Sequence, residues 1–164
     1  MQDNLFTGPA HIPGGPFPRP RESPHQAKDS PGLNDGWRES AAYRRGFDLF
    51  NAGYYWEAHE IWEMLWNHEG RVGAIADLLR GLIKLAAAGV KVRQNQRHGV
   101  VTHGTRAAVR FDAARALKGS PLIGIDLDQV SAIACEIARN PPTTLTSLED
   151  PLVRVFEFVL WPTY

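Results

Sequence analysis

Apolar positions recur at intervals of three and four over most of the chain from Trp37 to Asn140, and this spacing predicts helices. In GWRESAAYRRGFDLFNAG, Ala42 or Tyr43, Phe47 and Phe50 share one side. Asn51-Ala52-Gly53 then supplies a stop, with Gly53 as the expected left-handed residue after the last turn. A second helix follows at once in YYWEAHEIWEMLWNHEG and ends near Gly70; so short a link predicts an antiparallel hairpin. A third helix is expected over roughly 72–96, with Leu78, Leu82, Leu85, Ala86 and Gly89 as its buried stripe. Gly81 and Gly89 would each cost a lone helix about 1 kcal/mol relative to alanine, so they predict a close approach by a neighbouring helix. A fourth helix spans roughly 99–118, with Ala107, Ala108, Phe111, Ala114 and Leu117 inward and Gly119-Ser120-Pro121 ending it. Asp126 or Asp128 is placed to cap a fifth, LDQVSAIACEIARN, which Pro141-Pro142 terminates. In VRVFEFVLWPTY, Val153, Val155 and later Phe158 and Leu160 alternate with other residues, as in a short strand or an extended tail along the bundle.

These elements predict an all-α chain: a single compact bundle of about five helices, a helical hairpin at its start and an extended C-terminal tail. The expected organisation is a disordered Pro/Gly-rich arm over 1–35, a helical bundle domain over 36–141, and a tail over 142–164 packed on the bundle. GGPFPRPRESP, within the arm, cannot form helix interior, because proline lacks the amide donor and clashes with the preceding turn. As a functional alternative, the arm is a proline-rich ligand for an aromatic groove.

Composition narrows the partners. In 164 residues, 18 Lys and Arg balance 18 Asp and Glu, so phosphate neutralisation gives no support for nucleic-acid binding, and no polybasic membrane module is present. No apolar run approaches the ~18 residues of a membrane span, and the N-terminus does not read as a secretory signal. Cys135 is the sole cysteine, which excludes an intrachain disulfide and a CxxC zinc site; with Ile133, Ala134 and Ile137 around it, it is expected to be buried. A reducing, cytoplasmic location is the default expectation. The tail and the arm also offer surfaces for a homo-oligomer.

The second helix carries the chemistry. At roughly 100° per residue, Tyr55, Ala58, His59, Trp62, Leu65 and Trp66 fall on one side, while Glu57, Glu60, Met64 and Asn67 fall on the other as a solvated face. Glu63 lies at the border. His59, Glu63 and Trp66 therefore form one ridge at i, i+4 and i+7, with Tyr55, Trp62 and Trp66 as the expected walls of an aromatic pocket. Imidazole and carboxylate beside indoles can share a hydrogen bond, ligate a cation, or exchange protons near neutral pH. Two ligands hold zinc poorly, so a third must come from elsewhere. His103 is the best placed, with Glu60 or His98 behind it. The HExxH pattern is not met, since the sequence runs His59-Glu60-x-x-Glu63. The basic run KVRQNQRH suits a helix C-terminus, where positive charge meets the negative end of the dipole.

FNAGYYWEAHEIWEMLW followed by LLRGLIKLAAAGVKV resembles the domain of unknown function 309 family, whose signature is His-x-x-x-Glu-x-x-Trp or Tyr. Here the signature runs from His59 through Glu63 to Trp66, and the resemblance covers approximately Phe47 to Phe111. It implies a small helical protein and suspected metal binding through His59 and Glu63, with no established activity. Two positions depart from the family pattern. Lys84 stands where relatives often have glutamine, and His103-Gly104-Thr105 stands where many have an arginine before Gly-Ala. Lys84 either pairs with the acidic helix or repels a cation there.

Two functions of different class follow. One is a site for a divalent metal such as zinc, or for acid–base chemistry, on the His59–Glu63 helix, hydrolytic in outcome. The other is a non-catalytic helical interaction module in which the same pair is structural.

Overall fold

The computed structural model describes residues 8–19 and 32–164. Among them the chain forms six helices: α1 Leu33–Gly36, α2 Ala41–Ala52, α3 Tyr55–His68, α4 Ala74–Arg93, α5 Arg97–Lys118 and α6 Leu127–Arg139. Local chemistry sets the ends. The Ser40 hydroxyl accepts the Tyr43 N–H at 3.2 Å and starts α2. Gly53 ends it in the left-handed region at φ 98°, its N–H reaching the carbonyls of Leu49 and Phe50. Asp126 opens α6 by accepting the N–H groups of Asp128 and Gln129 at 3.0 and 3.1 Å.

From α2 to α6, each helix packs chiefly on its neighbours in sequence. Side-chain pairs fix the directions. Tyr55 lies against Gly89 while Trp66 lies by Arg80, so α3 and α4 run antiparallel. Lys91 lies against Gly99 while Gly81 meets Phe111, so α4 and α5 do the same. The glycines expected to admit a neighbour do so. A Cβ on Gly89 would stand 2.6 Å from Tyr55 Cγ, and one on Gly81 would overlap the Phe111 ring. The core joins Tyr43, Phe47 and Phe50 of α2 to Tyr55, Trp62 and Leu65 of α3 and to the aliphatic stripe of α4.

The structure corrects the sequence reading at several points. A sixth helix is present: α1 makes a single turn anchored by Leu33, which is fully buried, inside the segment expected to be a disordered arm. Residues 8–19 of that arm lie on the bundle. Ala10 and Ile12 are buried, because an extended chain puts alternate side chains on one face. Its backbone is also satisfied: the Ala10 N–H donates to Pro151 O at 2.7 Å, and Gly8 O and Pro13 O accept from Tyr54 and Gln94. The remainder of the arm, 1–7 and 20–31, lies outside the described residues. Cys135 is exposed, not buried, on the outer side of α6. Leu117 is exposed too, one turn beyond Ala114, the last buried residue of α5.

The C-terminal segment is an extended tail. No strand is found among the described residues; an isolated bridge links Leu122 and Ile125. Side chains replace a neighbouring strand. The Asn51 amide donates to Leu160 O and accepts its N–H, both at 2.8 Å, and Tyr55 Oη accepts the Val155 N–H at 2.9 Å. Among the described residues no helix is long and apolar enough to cross a membrane.

Candidate functional site

Tyr55, Ala58, Ile61, Trp62 and Leu65 are the apolar residues that bury α3 against its neighbours, and this burial fixes which side chains remain at its edge. Trp56, His59, Glu60 and Glu63 are all half-buried there. His59 Nδ1 stands 3.6 Å from Glu60 Oε1 and 3.9 Å from Glu63 Oε2. The side chains of His59, Glu60 and Glu63 are 23%, 30% and 47% exposed, so the ridge is a rim and not part of the core. Neither separation is a hydrogen bond, and His59 Nδ1 finds no hydrogen-bond partner among the described residues. The pair is therefore not a hydrogen-bonded lock on helix register.

His59, Glu60 and Glu63 together offer one ligand atom each, all within 4.8 Å of one another. Ligand atoms around a four-coordinate zinc, at ~2.0–2.2 Å from the ion, lie about 3.4 Å apart. Small rotations of two glutamates span that difference. One imidazole nitrogen and two carboxylate oxygens suit zinc, manganese or iron(II), and such an incomplete set leaves positions for water or substrate.

Glu60 approaches His59 more closely than Glu63 does, although the helical wheel sends it to the opposite face. The glutamate stem is long enough to bend across, and the N-terminal strap holds it: Arg19 pairs with Glu60 and lies over the Trp56 ring at 5.5 Å. The strap also overturns the reading of Glu57 as solvated. Glu57 is buried, and its Oε1 accepts the His11 N–H at 2.8 Å. The indole beside His59 is that of Trp56, stacked on the imidazole at 5.6 Å and 18°, with His11 edge-on to it at 5.2 Å. The sequence reading did not include Trp56 among the wall residues, though its i, i+3 spacing to His59 points to it. Tyr55 and Trp62 face elsewhere. Tyr55 packs on Phe50 and Phe156, and Trp62 is fully buried against Phe47 and Phe50. Trp66 stays at the surface end of the ridge, near the guanidinium groups of Arg71 and Arg80.

Lys84 of α4 and His103 of α5 feel the ridge electrostatically: Glu63 acts on Lys84, and His59 on His103. His103 stands outside the group of converging donor atoms, and Glu60 is within it. His98 is exposed and also outside the set. Lys84 is held below the ordinary lysine range, first by burial and then by Arg106, Arg80 and Arg110, while Glu63 acts in the opposite sense. Burial, followed by the charges of Lys84, Lys91, Arg106 and His59, pulls the His103 imidazole down to about 4. It is neutral at pH 7.

That shift has a consequence for stability. The unfolded chain protonates His103 near 6.5 and the folded chain only near 4. Between those values the unfolded state binds the extra proton. The stabilisation is complete above the unfolded value and is lost as pH falls towards the folded one. Partial exposure and screening leave about 1–2 kcal/mol. Urea unfolding followed from pH 7 to 4 should show this loss, and His103→Gln should flatten that limb of the profile.

The family model described as domain of unknown function (DUF309) matches residues 43–103, which run from α2 through all of α3 and α4 to the start of α5. No curated protein and no solved structure matches the chain.

Proposed function

We propose, from the premise that the chain belongs to the DUF309 family through residues 43–103, that its α3 rim is a divalent-cation site serving hydrolysis. His59, Glu60 and Glu63 hold the ion, and a neutral His103 is a neighbouring hydrogen-bonding group. The observation that carries this reading is the convergence of three donor atoms within 4.8 Å around an imidazole nitrogen that bonds to nothing else described. A bound ion of this kind supplies Lewis acidity and lowers the pKa of a coordinated water.

The chain's own residues do the rest. Trp56 stacks on His59 and limits rotation of its ring. Arg19 draws off part of the charge of Glu60, so the strap tunes the affinity of the site. A neutral His103, with Nδ1 unpartnered among the described residues, can offer a hydrogen bond at pH 7 without adding a charge.

Metal analysis of protein purified without a histidine tag, with calorimetric titration of Zn²⁺ and Mn²⁺, tests the reading. Wild type should bind one ion. His59→Ala and Glu63→Gln should each weaken binding by about a hundredfold while the helical circular dichroism is kept. Wild type that takes up no ion, or variants that bind as tightly as wild type, would defeat it. The other reading, a non-catalytic interaction module, draws support from the exposed apolar side chains of Val159 and Trp161 on the tail. Partner binding at that surface would be indifferent to His59→Ala.

A further inference from the structure

Two rows of cations oppose each other along the seam between α4 and α5. Arg80, Lys84 and Lys91 occupy one face of α4, at i, i+4 and i+11. His103, Arg106 and Arg110 occupy one face of α5, at i, i+3 and i+7. The antiparallel register set by Lys91 against Gly99 and by Gly81 against Phe111 brings Lys84 level with Arg106, and Arg80 level with Arg110. Like charges placed level across a helix seam repel, and nothing in helix packing requires them there.

Some of these groups have partners, though among the described residues only Arg110 has an acidic one. Arg110 pairs with Asp77 at 3.1 Å, Lys91 donates to Gln96 at 2.8 Å, and Arg80 lies on the Trp66 ring. Neither Lys84 nor Arg106 has a carboxylate within ion-pair distance among the described residues. Lys84 is half-buried, and His103, one turn before Arg106, keeps its Nδ1 buried and without a partner among the described residues. Asp77 of α4 is taken by Arg110, and the next acids belong to α3. Of these, Glu60 is engaged by Arg19, which leaves Glu63 alone to answer several positive groups.

We infer that Lys84, His103 and Arg106 form an anion subsite for the phosphate group of a small phosphomonoester, seated on the α4–α5 side of the face that carries His59, Glu60 and Glu63. Two full charges and a neutral imidazole nitrogen match a dianion better than a single carboxylate. A nucleic-acid backbone fits poorly, because the cations are confined to one short seam in a chain whose 18 basic residues equal its 18 acidic ones. The subsite names a substrate class for the hydrolytic reading above, and in that respect it rests on that reading. The anion-binding claim itself needs no metal.

Calorimetric titration with inorganic phosphate, first with chelator present and then with Zn²⁺ or Mn²⁺, tests it on the full chain. Wild type should bind phosphate saturably, one to one, in chelator. Lys84→Gln and Arg106→Gln should each weaken that binding at least about tenfold, with circular dichroism unchanged. Lys118→Gln, at the far end of α5, should leave it as in wild type. Phosphate binding that is absent, or unchanged in Lys84→Gln and Arg106→Gln, or lost equally in Lys118→Gln, overturns the subsite. Phosphate binding with no metal uptake upholds the subsite and defeats the metal reading. Metal uptake with phosphate binding indifferent to Lys84 and Arg106 does the reverse.

Discussion

Trp62→Ala is expected to lower the unfolding free energy by about 3–5 kcal/mol, the largest loss of any single truncation in α3. The indole is fully buried, with Phe47 edge-on at 5.2 Å and Phe50 tilted at 5.9 Å. Alanine would leave a cavity that two helices of a hairpin cannot collapse into without moving the rest of the core. The same contact makes a second, opposite prediction. A Cβ built on Gly46 of α2 would overlap the indole, with Cδ1 only 2.7 Å away. Gly46→Ala should therefore cost about 2 kcal/mol, despite the ~1 kcal/mol that alanine contributes to an exposed helix position. In a Trp62→Ala background the ring that meets Gly46 is gone, and Gly46→Ala should cost less than half as much there. Urea unfolding of the four proteins gives the coupling. Strict additivity would mean that Gly46 and Trp62 are not in contact.

The helical frame was legible because its signals are local. Gly53 stops α2 where a left-handed residue was expected, and Asp126 caps α6. Gly81 and Gly89 mark the places where rings from other helices arrive. The candidate site was only half legible, and the missing half is non-local. Helical spacing alone put His59 and Glu63 on one ridge, and their Nδ1 and Oε2 atoms stand 3.9 Å apart. It sent Glu60 away, because the wheel knows the direction of a Cβ and not where a long side chain ends. Arg19, forty-one positions upstream, engages Glu60 and caps Trp56. Its segment has no periodicity to show that it would lie on the bundle. Ala10 and Ile12, its buried anchors, stand among prolines and glycines and make no helical or strand pattern. Burial of Glu57 by a backbone amide of the same strap was equally hidden. The cation rows on α4 and α5 are each visible as a face, but their opposition depends on helix register, which the sequence leaves open.

Phe156→Ala should cost about 3–4 kcal/mol, as much as a truncation in the middle of a helix, although Phe156 sits in a segment with no regular structure. Its ring is buried and stacks on Phe50 at 5.7 Å and on Phe158 at 5.0 Å, with Tyr55 edge-on at 5.4 Å. It is a core residue delivered by a tail. The loss should be amplified by what the ring holds in place. Tyr55 Oη accepts the N–H groups of Val155 and Phe156, and Asn51 clasps Leu160. Once the aromatic anchor is removed, those bonds must hold an extended chain whose backbone has no strand partner, and each contributes only about 1 kcal/mol. Val159→Ala, at a side chain about half exposed in the same segment, should change stability by less than about 0.5 kcal/mol. Denaturant unfolding of both variants, with protease susceptibility of the tail followed in parallel, separates a tail that completes the core from one that merely rests on it. Equal, small effects for the two would place Phe156 outside the cooperative unit, and with it the aromatic cluster that backs α3.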